Sequence, residues 1–277
     1  MNFNYEIVVL SYNHPQLTTL TLNSVLSFGF PAEQVHLVHN GTLLPHQQQL
    51  QSLFPQIKHH ILPANKGFSG GANFGLSEVF KAADSILFLT NDTEVISLPN
   101  DFPTALDLFS IRILKRNTNQ VDSIIGAIDL KKGHLSHVRD LTHLKNSLTT
   151  YIPGTAFGLS KNAFTRLKGF DETLHTYWED VELSLRAHHL GLKVGSNELF
   201  QVKHKIGKTC HKDRFYTLFL FQRNRKRILK KYGQSFFNLQ FYSSYFLDMS
   251  KIAWRILKGD EKKANLNLWW KAIYDKS

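Results

Sequence analysis

One short apolar segment that ends in polar residues constrains the fold of this chain most strongly. Residues 85–95 read SILFLTNDTEV, with an apolar run at residues 86–89. A run of this length is typical of a strand buried on both faces in a parallel sheet. It ends at Thr90, Asn91 and Asp92, so Asp92 is expected at the carboxyl end of a strand, where open α/β sheets bind ligands. A carboxylate there can hold a divalent cation against a diphosphate, and the alternative is that Asp92 only begins a turn.

The segments before this run alternate between strand-like and helix-like patterns. Strands are predicted at residues 6–10, 35–39, 58–62 and 86–90. Helices are predicted at residues 16–27, at residues 46–54, and between the turn at 65–73 and residue 83. The first helix is expected to carry Leu17, Leu20 and Ser24 on one face. This alternation predicts βαβ units and an α/β fold with a mostly parallel central sheet flanked by helices.

The chain between residues 98 and 204 has a less regular pattern. Residues 98–119 are predicted to be helical, 123–130 a strand, 131–149 a polar loop and 150–160 a single strand. Helices follow at residues 161–167 and 178–190, and a short strand at 200–204. The polar loop carries His134, His137 and His143, which would form a metal site only if the three side chains converged. A solvated loop is the preferred interpretation, because no carboxylate stands at ligand spacing.

The basic character of the chain belongs to its C-terminal quarter. The 277 residues carry a net charge of +11, but residues 1–202 sum to −2 and residues 203–277 to +13. Such asymmetry points to a polyanion or an anionic membrane surface as partner. Aromatic and basic residues mix in predicted helices at residues 215–232, 236–257 and 266–274, which can lie on an anionic bilayer. The alternative is that these helices pack on the rest of the protein and turn their lysines and arginines to water.

Composition excludes several other classes of protein. An apolar fraction of 42% and a charged fraction of 20% are those of a folded chain rather than a disordered one. The single cysteine, Cys210, excludes an internal disulfide and a multi-cysteine zinc site, and it fits a reducing compartment. The first ten residues include Glu6 and lack the basic start of a signal peptide. No apolar run approaches the length of a membrane span.

Two further segments carry residues suited to chemistry. The glycine-rich turn at residues 65–73, NKGFSGGAN, precedes a predicted helix, and its free backbone N–H groups are expected to face a nucleotide or phosphate. Its spacing is not that of a dinucleotide-binding fingerprint. The acidic segment at residues 170–182 places Glu179 and Asp180 at the start of a predicted helix, where the helix dipole favours carboxylates. These acids are either plain helix caps or a base that deprotonates an acceptor hydroxyl.

Taken together, these segments resemble the family 2 glycosyltransferases of the GT-A fold, and in particular their rhamnosyltransferase-like branch. The resemblance covers roughly the first three quarters of the chain. Each motif alone is unspecific, whereas their order and separation together are specific. The motifs lie at residues 9–13 (VLSYN), 65–73 (NKGFSGGAN), 89–93 (LTNDT), 154–157 (GTAF), 169–172 (GFDE), 179–183 (EDVEL) and 202–204 (VKH).

The resemblance implies a role for each matching residue. Asp92 would bind Mg²⁺ or Mn²⁺ on the donor diphosphate, and His204 would reach the same metal. Asp180 would be the catalytic base, with Glu179 beside it as the alternative. The residues near the donor sugar or the acceptor would be Gly154, Thr155 and Trp178. The nucleotide pocket would be lined by Ser11, Tyr12, Asn13, Asn40, Asn65, Lys66, Gly67, Asn73 and Asn91.

The implied activity is a metal-dependent, inverting sugar transfer in cell-surface polysaccharide synthesis. The donor would be a nucleoside-diphosphate sugar, dTDP-rhamnose or a UDP-sugar, and the acceptor a hydroxyl of a glycan or lipid-linked molecule. The GT-A domain would span residues 1–205, followed by a basic, aromatic-rich helical region at residues 206–277. The expected location is the cytoplasm, with a peripheral position on the inner face of the cell membrane. Nucleic acid is not expected as a partner.

Two departures from the family pattern leave alternatives open. His39 and Asn40 stand where the family has an Asp-Asn pair whose Asp contacts the nucleotide base, so the choice between uridine and thymidine is open. Of the DXD-like motif at residues 90–92, only the last acid, Asp92, is present. A non-catalytic sugar-nucleotide binder is one alternative function. A nucleic-acid-binding protein that uses the basic C-terminus is another, although no RNA-binding signature or DNA-binding helix pair supports it.

Overall fold

The computed structural model describes residues 3–204 and 214–233, together with residues 243, 246, 247 and 250. The helices predicted at residues 236–257 and 266–274 lie outside the two continuous ranges, and so does Cys210. In the described part of the chain, no helix is both long enough and apolar enough to cross a bilayer.

The described residues form strands and helices in an alternating order that becomes irregular after the fourth strand. The strands are β1 (Glu6–Ser11), β2 (Val35–Asn40), β3 (Lys58–Leu62), β4 (Ser85–Thr90), β5 (Thr93–Ser97), β6 (Leu108–Lys115), β7 (Val121–Ser123), β8 (Ile125–Asp129), β9 (His134–Val138), β10 (Thr149–Tyr151), β11 (Ala156–Ser160) and β12 (Val194–His204). The α-helices are α1 (Pro15–Ser27), α2 (Leu44–Leu53), α3 (Gly67–Val79), α4 (Lys161–Leu167), α5 (Glu179–His189) and α6 (Arg214–Tyr232).

A large central sheet carries most of the strands, in the order β3-β2-β1-β4-β11-β6-β12-β5, with β7 paired to β6. The first four strands in this order are parallel to one another, as are β6 and β12. The strand β11 runs antiparallel between β4 and β6, which places Ala156 opposite Leu89. The segment before β11 is therefore brought to the carboxyl end of β4. The predicted α/β fold with a mostly parallel central sheet is confirmed.

Helices cover both faces of this sheet, and alternate residues of each strand enter separate cores. From β1, Val9 packs with the α1 and α2 side, whereas Val8 packs with the side covered by α3, α4 and α5. The predicted double burial of β4 is confirmed, because Leu87 and Phe88 are fully buried in opposite cores. Each such side chain contributes about 1.5–3 kcal/mol by leaving water.

In the second half, the helix predicted at residues 98–119 and the single strand predicted at residues 150–160 were wrong. Residues 98–119 were predicted to be helical, but they contain strand β6, which is buried on both faces. A two-sided apolar run has no period that separates strand from helix, and the neighbouring strands β11 and β12 decide its state. Residues 150–160 were predicted to be one strand, but β10 and β11 belong to different sheets. The break lies at residues 152–155, which include Pro153 and Gly154.

Helix α1 and the segment after β8 add two smaller points. The face of α1 that carries Leu17, Leu20 and Ser24 is not the buried one, because the helix buries Thr18, Leu22 and Val25 and Leu20 is 46% exposed. The polar loop predicted at residues 131–149 contains β9, which pairs with β8 in a second sheet of order β10-β8-β9. This small antiparallel sheet leads through β10 directly into the segment at 152–155.

The helix α6 packs on the second half of the molecule. Its Ile228 is buried in a cluster with Trp178 and Leu185. Near its end, Lys231 Nζ and Tyr232 Oη both donate to Glu182 Oε1 of α5, each at 2.8 Å. Burial alone would raise the pKa of Glu182, but these donors and Arg186 lower it below its ordinary value. The interaction of α5 with α6 therefore depends on a buried, charged carboxylate.

Candidate active site

Asp92 lies in the tight turn between β4 and β5, at the carboxyl end of the central parallel strands. Its Oδ1 accepts a hydrogen bond from Thr90 Oγ1 at 2.7 Å, and its Oδ2 lies 3.3 Å from His204 Nε2. The register of β5 with β12 explains the histidine, because Thr93 stands opposite His204. Burial acts to raise the pKa of Asp92, but His204 and Thr90 outweigh it and hold the pKa below its ordinary value. The site therefore favours a charged carboxylate.

Asp180 lies in the first turn of α5 and is held by backbone N–H groups. Its Oδ2 accepts from the Gly154 N–H at 2.9 Å and its Oδ1 from the Val181 N–H at 2.8 Å. Burial raises the pKa of Asp180 even though these hydrogen bonds oppose the shift. Each carboxylate oxygen keeps a second lone pair for a further donor. Asp180 is thus an oriented carboxylate with more affinity for a proton than an ordinary aspartate.

Glu179, the alternative base, has a different environment. Glu179 is only 6% exposed, and its Oε2 has no hydrogen-bond partner within the described residues. Burial, followed by the nearby charge of Asp180, raises the pKa of Glu179 well above its ordinary value. Asp180 is partly exposed while Glu179 is enclosed. An acceptor hydroxyl would therefore reach Asp180 more directly.

A short hydrogen-bonded connection joins Asp92 to Asp180. The Thr90 side chain that donates to Asp92 is also 3.2 Å from the Thr155 carbonyl oxygen, and the Thr90 N–H donates to the same oxygen at 2.9 Å. The neighbouring Gly154 N–H donates to Asp180. The antiparallel pairing of β11 with β4 produces this arrangement. Two carboxylates far apart in sequence thus lie on one edge of the sheet, with Gly154 and Thr155 between them.

The turn before α5 has unusual backbone geometry. His175, Tyr177 and Trp178 have φ values of 63°, 67° and 71°. Left-handed conformations at residues other than glycine cost about 1–3 kcal/mol each and persist only where surrounding contacts impose them. Trp178 was predicted to lie near the sugar or acceptor, but its residue is 2% exposed and its ring packs on Phe221 of α6, 5.5 Å between centroids. Its ring therefore lies beneath the site and not on its surface.

The predicted nucleotide residues of the first half connect the loops at the edge of the sheet. Ser11 is buried and its Oγ is 2.8 Å from Thr18 Oγ1 of α1. Asn91 Nδ2 donates to the same hydroxyl at 3.0 Å and to the Asn13 carbonyl at 3.3 Å. Tyr12 is 39% exposed beside them. The structure thus brings these predicted residues together next to Asp92, and of them Tyr12 offers the largest open surface.

The glycine-rich turn differs from the expectation that its backbone N–H groups are free. Lys66 N–H donates to Asn40 Oδ1 at 3.0 Å, Gly67 N–H to Asn65 Oδ1 at 2.8 Å, and Ser69 N–H to the His175 carbonyl at 3.1 Å. Gly67 has φ of +72°, and a Cβ there would lie 2.4 Å from the His175 oxygen. The expectation is therefore wrong for these three groups, because the turn packs against the segment that leads into α5.

Asn73 has a related role in joining segments. Its Oδ1 accepts from the Phe170 N–H at 2.7 Å, and its Nδ2 donates to the Phe170 carbonyl at 3.0 Å and to Glu172 Oε1 at 2.9 Å. The GFDE motif is thus fastened to α3. The Asn73 side chain therefore uses its amide to hold the segment that leads into α5, and these hydrogen bonds do not direct it towards Asp92.

His39, at the position where the family pattern differs, belongs to a relay of imidazole rings. His59 Nε2 lies 3.0 Å from the Phe54 carbonyl, so that nitrogen must donate. His59 Nδ1 lies 3.0 Å from His39 Nε2, and the tautomer in which His59 Nδ1 accepts leaves a lone pair on His39 Nδ1. Burial lowers the pKa of His39 to about 4, which keeps this ring neutral. Within the described residues, that buried Nδ1 has no hydrogen-bond partner.

The residues around Asp92 suit a divalent cation bound together with a diphosphate. One carboxylate and one imidazole nitrogen lie 3.3 Å apart, which permits shared contact with one ion. Mg²⁺ and related ions are commonly held by one or two protein ligands with substrate phosphates and water completing the shell. No cluster of three or more His, Cys, Asp or Glu able to hold a metal occurs in the described ranges, which also excludes a site formed by His134, His137 and His143.

Sequence reasoning missed several residues that the structure places at the site. Thr90 connects Asp92 to Thr155, Ser184 Oγ accepts from the Ile152 N–H at 3.0 Å, and Asn224 of α6 bonds to the turn before α5. Thr90 could have been noticed as a member of the predicted strand end. Neither Ser184 nor Asn224 carries a local pattern that indicates its partner, because both contacts depend on how distant elements pack.

Comparison with known proteins supports the fold. No family model matches the chain, and no curated protein matches it by sequence. The structure of GalNAc-T7 with UDP, GalNAc and Mn²⁺ aligns with 85% of this chain and 49% of its own, at a TM-score of 0.64 and 14% identity. The mannosyltransferase PcManGT from Pyrobaculum calidifontis, with GDP-Man and Mn²⁺, aligns with 100% of this chain and 89% of its own, at a TM-score of 0.54 and 10% identity.

A third solved structure, TarS from S. aureus, aligns with 99% of this chain and 48% of its own, at a TM-score of 0.57 and 16% identity. The chain thus spans about half the length of the GalNAc-T7 and TarS chains. At these identities the likeness concerns the fold, which is the GT-A glycosyltransferase fold.

Proposed function

We propose that this protein is an inverting glycosyltransferase that uses a nucleoside-diphosphate sugar and a divalent metal. The connection of Asp92 to Asp180 through Thr90, Thr155 and Gly154 supports this most directly. A sugar nucleotide lying along that connection would have its diphosphate at Asp92 and its anomeric carbon towards Asp180. The GT-A fold and the nucleotide or metal complexes of structurally similar proteins agree with this arrangement.

The proposed reaction is a single displacement. Asp180 takes the proton of the acceptor hydroxyl, and the acceptor oxygen forms a bond to the anomeric carbon. The bond from that carbon to the diphosphate oxygen breaks, and its electron pair leaves with the nucleoside diphosphate. The raised pKa of Asp180 makes it a stronger base than an ordinary aspartate, and the N–H groups of Gly154 and Val181 fix its direction. One displacement inverts the configuration, and no protein nucleophile is needed.

Asp92 and His204 are proposed to hold the metal, Mg²⁺ or Mn²⁺, through Oδ2 and Nε2. A bound ion would supply charge neutralisation for the diphosphate. Thr90 fixes the other Asp92 oxygen, so that the carboxylate presents one edge to this position.

The nucleotide base is proposed to be uracil or thymine. The family resemblance of the sequence motifs supports this choice, as does the UDP bound to the structurally similar GalNAc-T7. His39 stands where the family has the Asp that contacts the base, but its ring is fully buried and its Nδ1 is not open to a base. UDP-sugars and dTDP-rhamnose therefore remain the donors to test first.

The domain proposal is a GT-A domain at residues 1–205 and a basic region at 206–277 that meets an anionic membrane carrying a lipid-linked or glycan acceptor. For α6, packing on the domain accounts for the apolar face, since Leu220, Ile228 and Leu229 are buried. Attachment of the protein to the cytoplasmic face of a membrane would therefore depend on residues beyond α6.

A nucleotide-release screen tests the proposal. UDP-, dTDP- and GDP-sugars are incubated with the protein and with glycan or lipid-linked acceptors, with Mn²⁺ or with EDTA. We expect release from a uridine or thymidine donor that EDTA abolishes and Mn²⁺ restores. Proton NMR of the product should show inversion at the anomeric carbon.

Calorimetry with UDP, dTDP and Mn²⁺ distinguishes the alternatives. Nucleotide binding without release from any donor would support a non-catalytic binder. A salt titration with DNA, RNA and anionic liposomes completes the test. Tight nucleic-acid binding without liposome binding or sugar transfer would replace the proposal by nucleic-acid recognition.

A further inference from the structure

We propose that Asn224 of α6 is a positioning residue for Asp180, and this inference rests on the proposed function. Asn224 is fully buried. Its Nδ2 lies within hydrogen-bond distance of three carbonyl oxygens of the turn before α5, at 2.8 Å from Leu174, 3.0 Å from Thr176 and 2.7 Å from Tyr177. Its Oδ1 accepts from Arg223 Nε at 2.9 Å, which fixes the direction of the amide.

The turn needs such a donor because its carbonyl groups converge. Three oxygens directed at one point repel one another. They belong to residues 174, 176 and 177, in the stretch that holds the left-handed residues His175, Tyr177 and Trp178. A buried carbonyl without a donor is unfavourable. The neutral amide of Asn224 supplies two N–H groups, one of them shared between two of the three oxygens, without adding charge to a site that already holds buried acids. Asn224 thus stabilises a backbone conformation of the turn that would otherwise be unfavourable.

This path determines where α5 begins. The Trp178 carbonyl accepts the Glu182 N–H at 2.9 Å, so the turn continues directly into the first turn of the helix. Asp180 lies in that first turn, where its Oδ2 must meet the Gly154 N–H. A shift of the turn would move Asp180 away from Gly154 and from an acceptor. Loss of alignment by about 1 Å can reduce a rate about 100-fold.

The rest of α6 keeps Asn224 in place. Arg223 donates to the carbonyls of Thr173 and Leu174 at 3.1 and 3.2 Å, and Arg225 donates to the Lys132 carbonyl at 2.8 Å. Lys231 and Tyr232 hold Glu182 at the other side of α5. The helix therefore joins the turn, the β8–β9 connection and α5, and Asn224 donates to the backbone of the turn beside the packing of Phe221 on Trp178.

The test uses the full-length protein with Asn224→Asp, which keeps the shape of the side chain but places an oxygen against the three carbonyls. Asn224→Ser keeps a hydroxyl donor and serves as the partial rescue. Leu229→Ala is the matched control, because Leu229 is buried on the same helix and packs at Gly133, away from the turn. Thermal unfolding and circular dichroism establish that each variant is folded.

We expect Asn224→Asp to lower kcat about 100-fold with the KM for the donor changed less than twofold. Asn224→Ser should fall between this variant and the wild type. The titratable groups that influence Asp180 or are influenced by it are Glu179 on its own helix, His137 on β9 and Tyr151 on β10. Opening the turn would hydrate Asp180, so the acid limb of the kcat profile should move to lower pH in Asn224→Ser, which adds no titratable group, and stay in place in Leu229→Ala.

Amide hydrogen exchange at residues 174–183 separates this inference from the proposed function. Faster exchange there in Asn224→Asp, but not in Leu229→Ala, supports positioning even if no donor is turned over. A folded Asn224→Asp protein with wild-type exchange, kcat and pH profile would overturn it. Equal losses of kcat in Asn224→Asp and Leu229→Ala at equal loss of stability would also overturn it, since the effect would then be structural only.

Discussion

The two halves of the central sheet edge hold their carboxylates in opposite ways. In the half built from parallel strands, Asp92 is buried, which acts to raise its pKa, but Thr90 and His204 outweigh burial and lower it. In the half where antiparallel strands meet α5, burial raises the pKa of Asp180 and raises that of Glu179 further. One half therefore favours a charged carboxylate and the other a carboxylate that binds protons readily.

The backbone differs between the halves in the same sense. Around Asp92, regular strands and paired side chains such as Asn91 with Thr18 produce the site. Around Asp180, three left-handed residues precede the helix and contacts from α6 are needed to hold them. Metal and phosphate binding require a stable anion, whereas a general base requires a pKa closer to working pH. The different surroundings of the two carboxylates agree with a site in which Asp92 serves the sugar donor and Asp180 serves the acceptor.

The largest effect that tests this division is expected from Asp180→Asn. An amide cannot take the acceptor proton, and removal of a general base typically lowers the rate by about 10²–10⁴-fold. Because the amide oxygen can still accept from the Gly154 N–H, the fold should persist. The measurement is kcat for transfer, with Mn²⁺-dependent nucleotide affinity by calorimetry as the control. Unchanged turnover would show that Asp180 is not the base and would contradict the proposed difference in role between Asp180 and Asp92.

Asp92→Asn should act on the other side of the division. The loss of a charged ligand is expected to weaken Mn²⁺-dependent binding of UDP or dTDP about 100-fold, close to 2.7 kcal/mol. In contrast to Asp180→Asn, the change should appear in nucleotide affinity as well as in rate. Binding measured in EDTA should be the same for wild type and variant. Equal Mn²⁺-dependent affinity in the two proteins would show that Asp92 does not hold the ion.

His204→Gln sharpens the assignment of the metal ligands. We expect about a tenfold loss of Mn²⁺ affinity, since one neutral ligand is lost while Asp92 remains. Lys203→Gln is the matched control, because it lies next to His204 in β12 and successive strand residues point to opposite faces. The measurement is Mn²⁺ titration in the presence of saturating nucleotide. If both variants lose affinity equally, the effect comes from a general disturbance of β12, and His204 is not a ligand.

The halves also differ in how much the sequence reveals. Strands β1–β4 were predicted to within one residue at each end, because each is a short apolar run bounded by polar or turn residues. In the second half, β6 resembles a helix locally, and its state depends on pairing with β11 and β12. Local pattern is sufficient where neighbours in sequence are neighbours in space, and it fails where distant strands pair.

The candidate site shows the same limit. Asp92, Asp180 and His204 could be selected by resemblance, and their placement on one edge follows the family order. The contact of Thr90 with Thr155, the relay from His59 to His39 and the bonds of Asn224 could not be selected, because they require register and packing. The glycine-rich turn shows the converse, since its residues were selected for phosphate contact while several of its N–H groups bind protein oxygens.

The smallest predicted effect concerns the free energy of unfolding. Its pH dependence should have opposite signs for two histidines of the first half and for Glu179 of the second half. Burial lowers the pKa of His39 and of His36 to about 4, whereas in the unfolded chain both should titrate near 6.5. Between these values the unfolded chain binds more protons, so stability is present above pH ~6.5 and is lost as pH falls towards ~4. Glu179 has the reverse sign, because its raised pKa weakens the fold as pH rises.

Between pH 7 and pH 4.5, the loss of unfolding free energy due to His39 alone should be about 2 kcal/mol, and urea unfolding of His39→Gln should lack this part of the wild-type loss. His143→Gln is the control, because the His143 side chain is 83% exposed, in contrast to the buried ring of His39. The readout is the free energy of unfolding at each pH, with the denaturant slope checked for constancy. An identical pH dependence of the unfolding free energy in wild type and His39→Gln would mean that His39 is protonated as readily in the folded protein as in the unfolded chain.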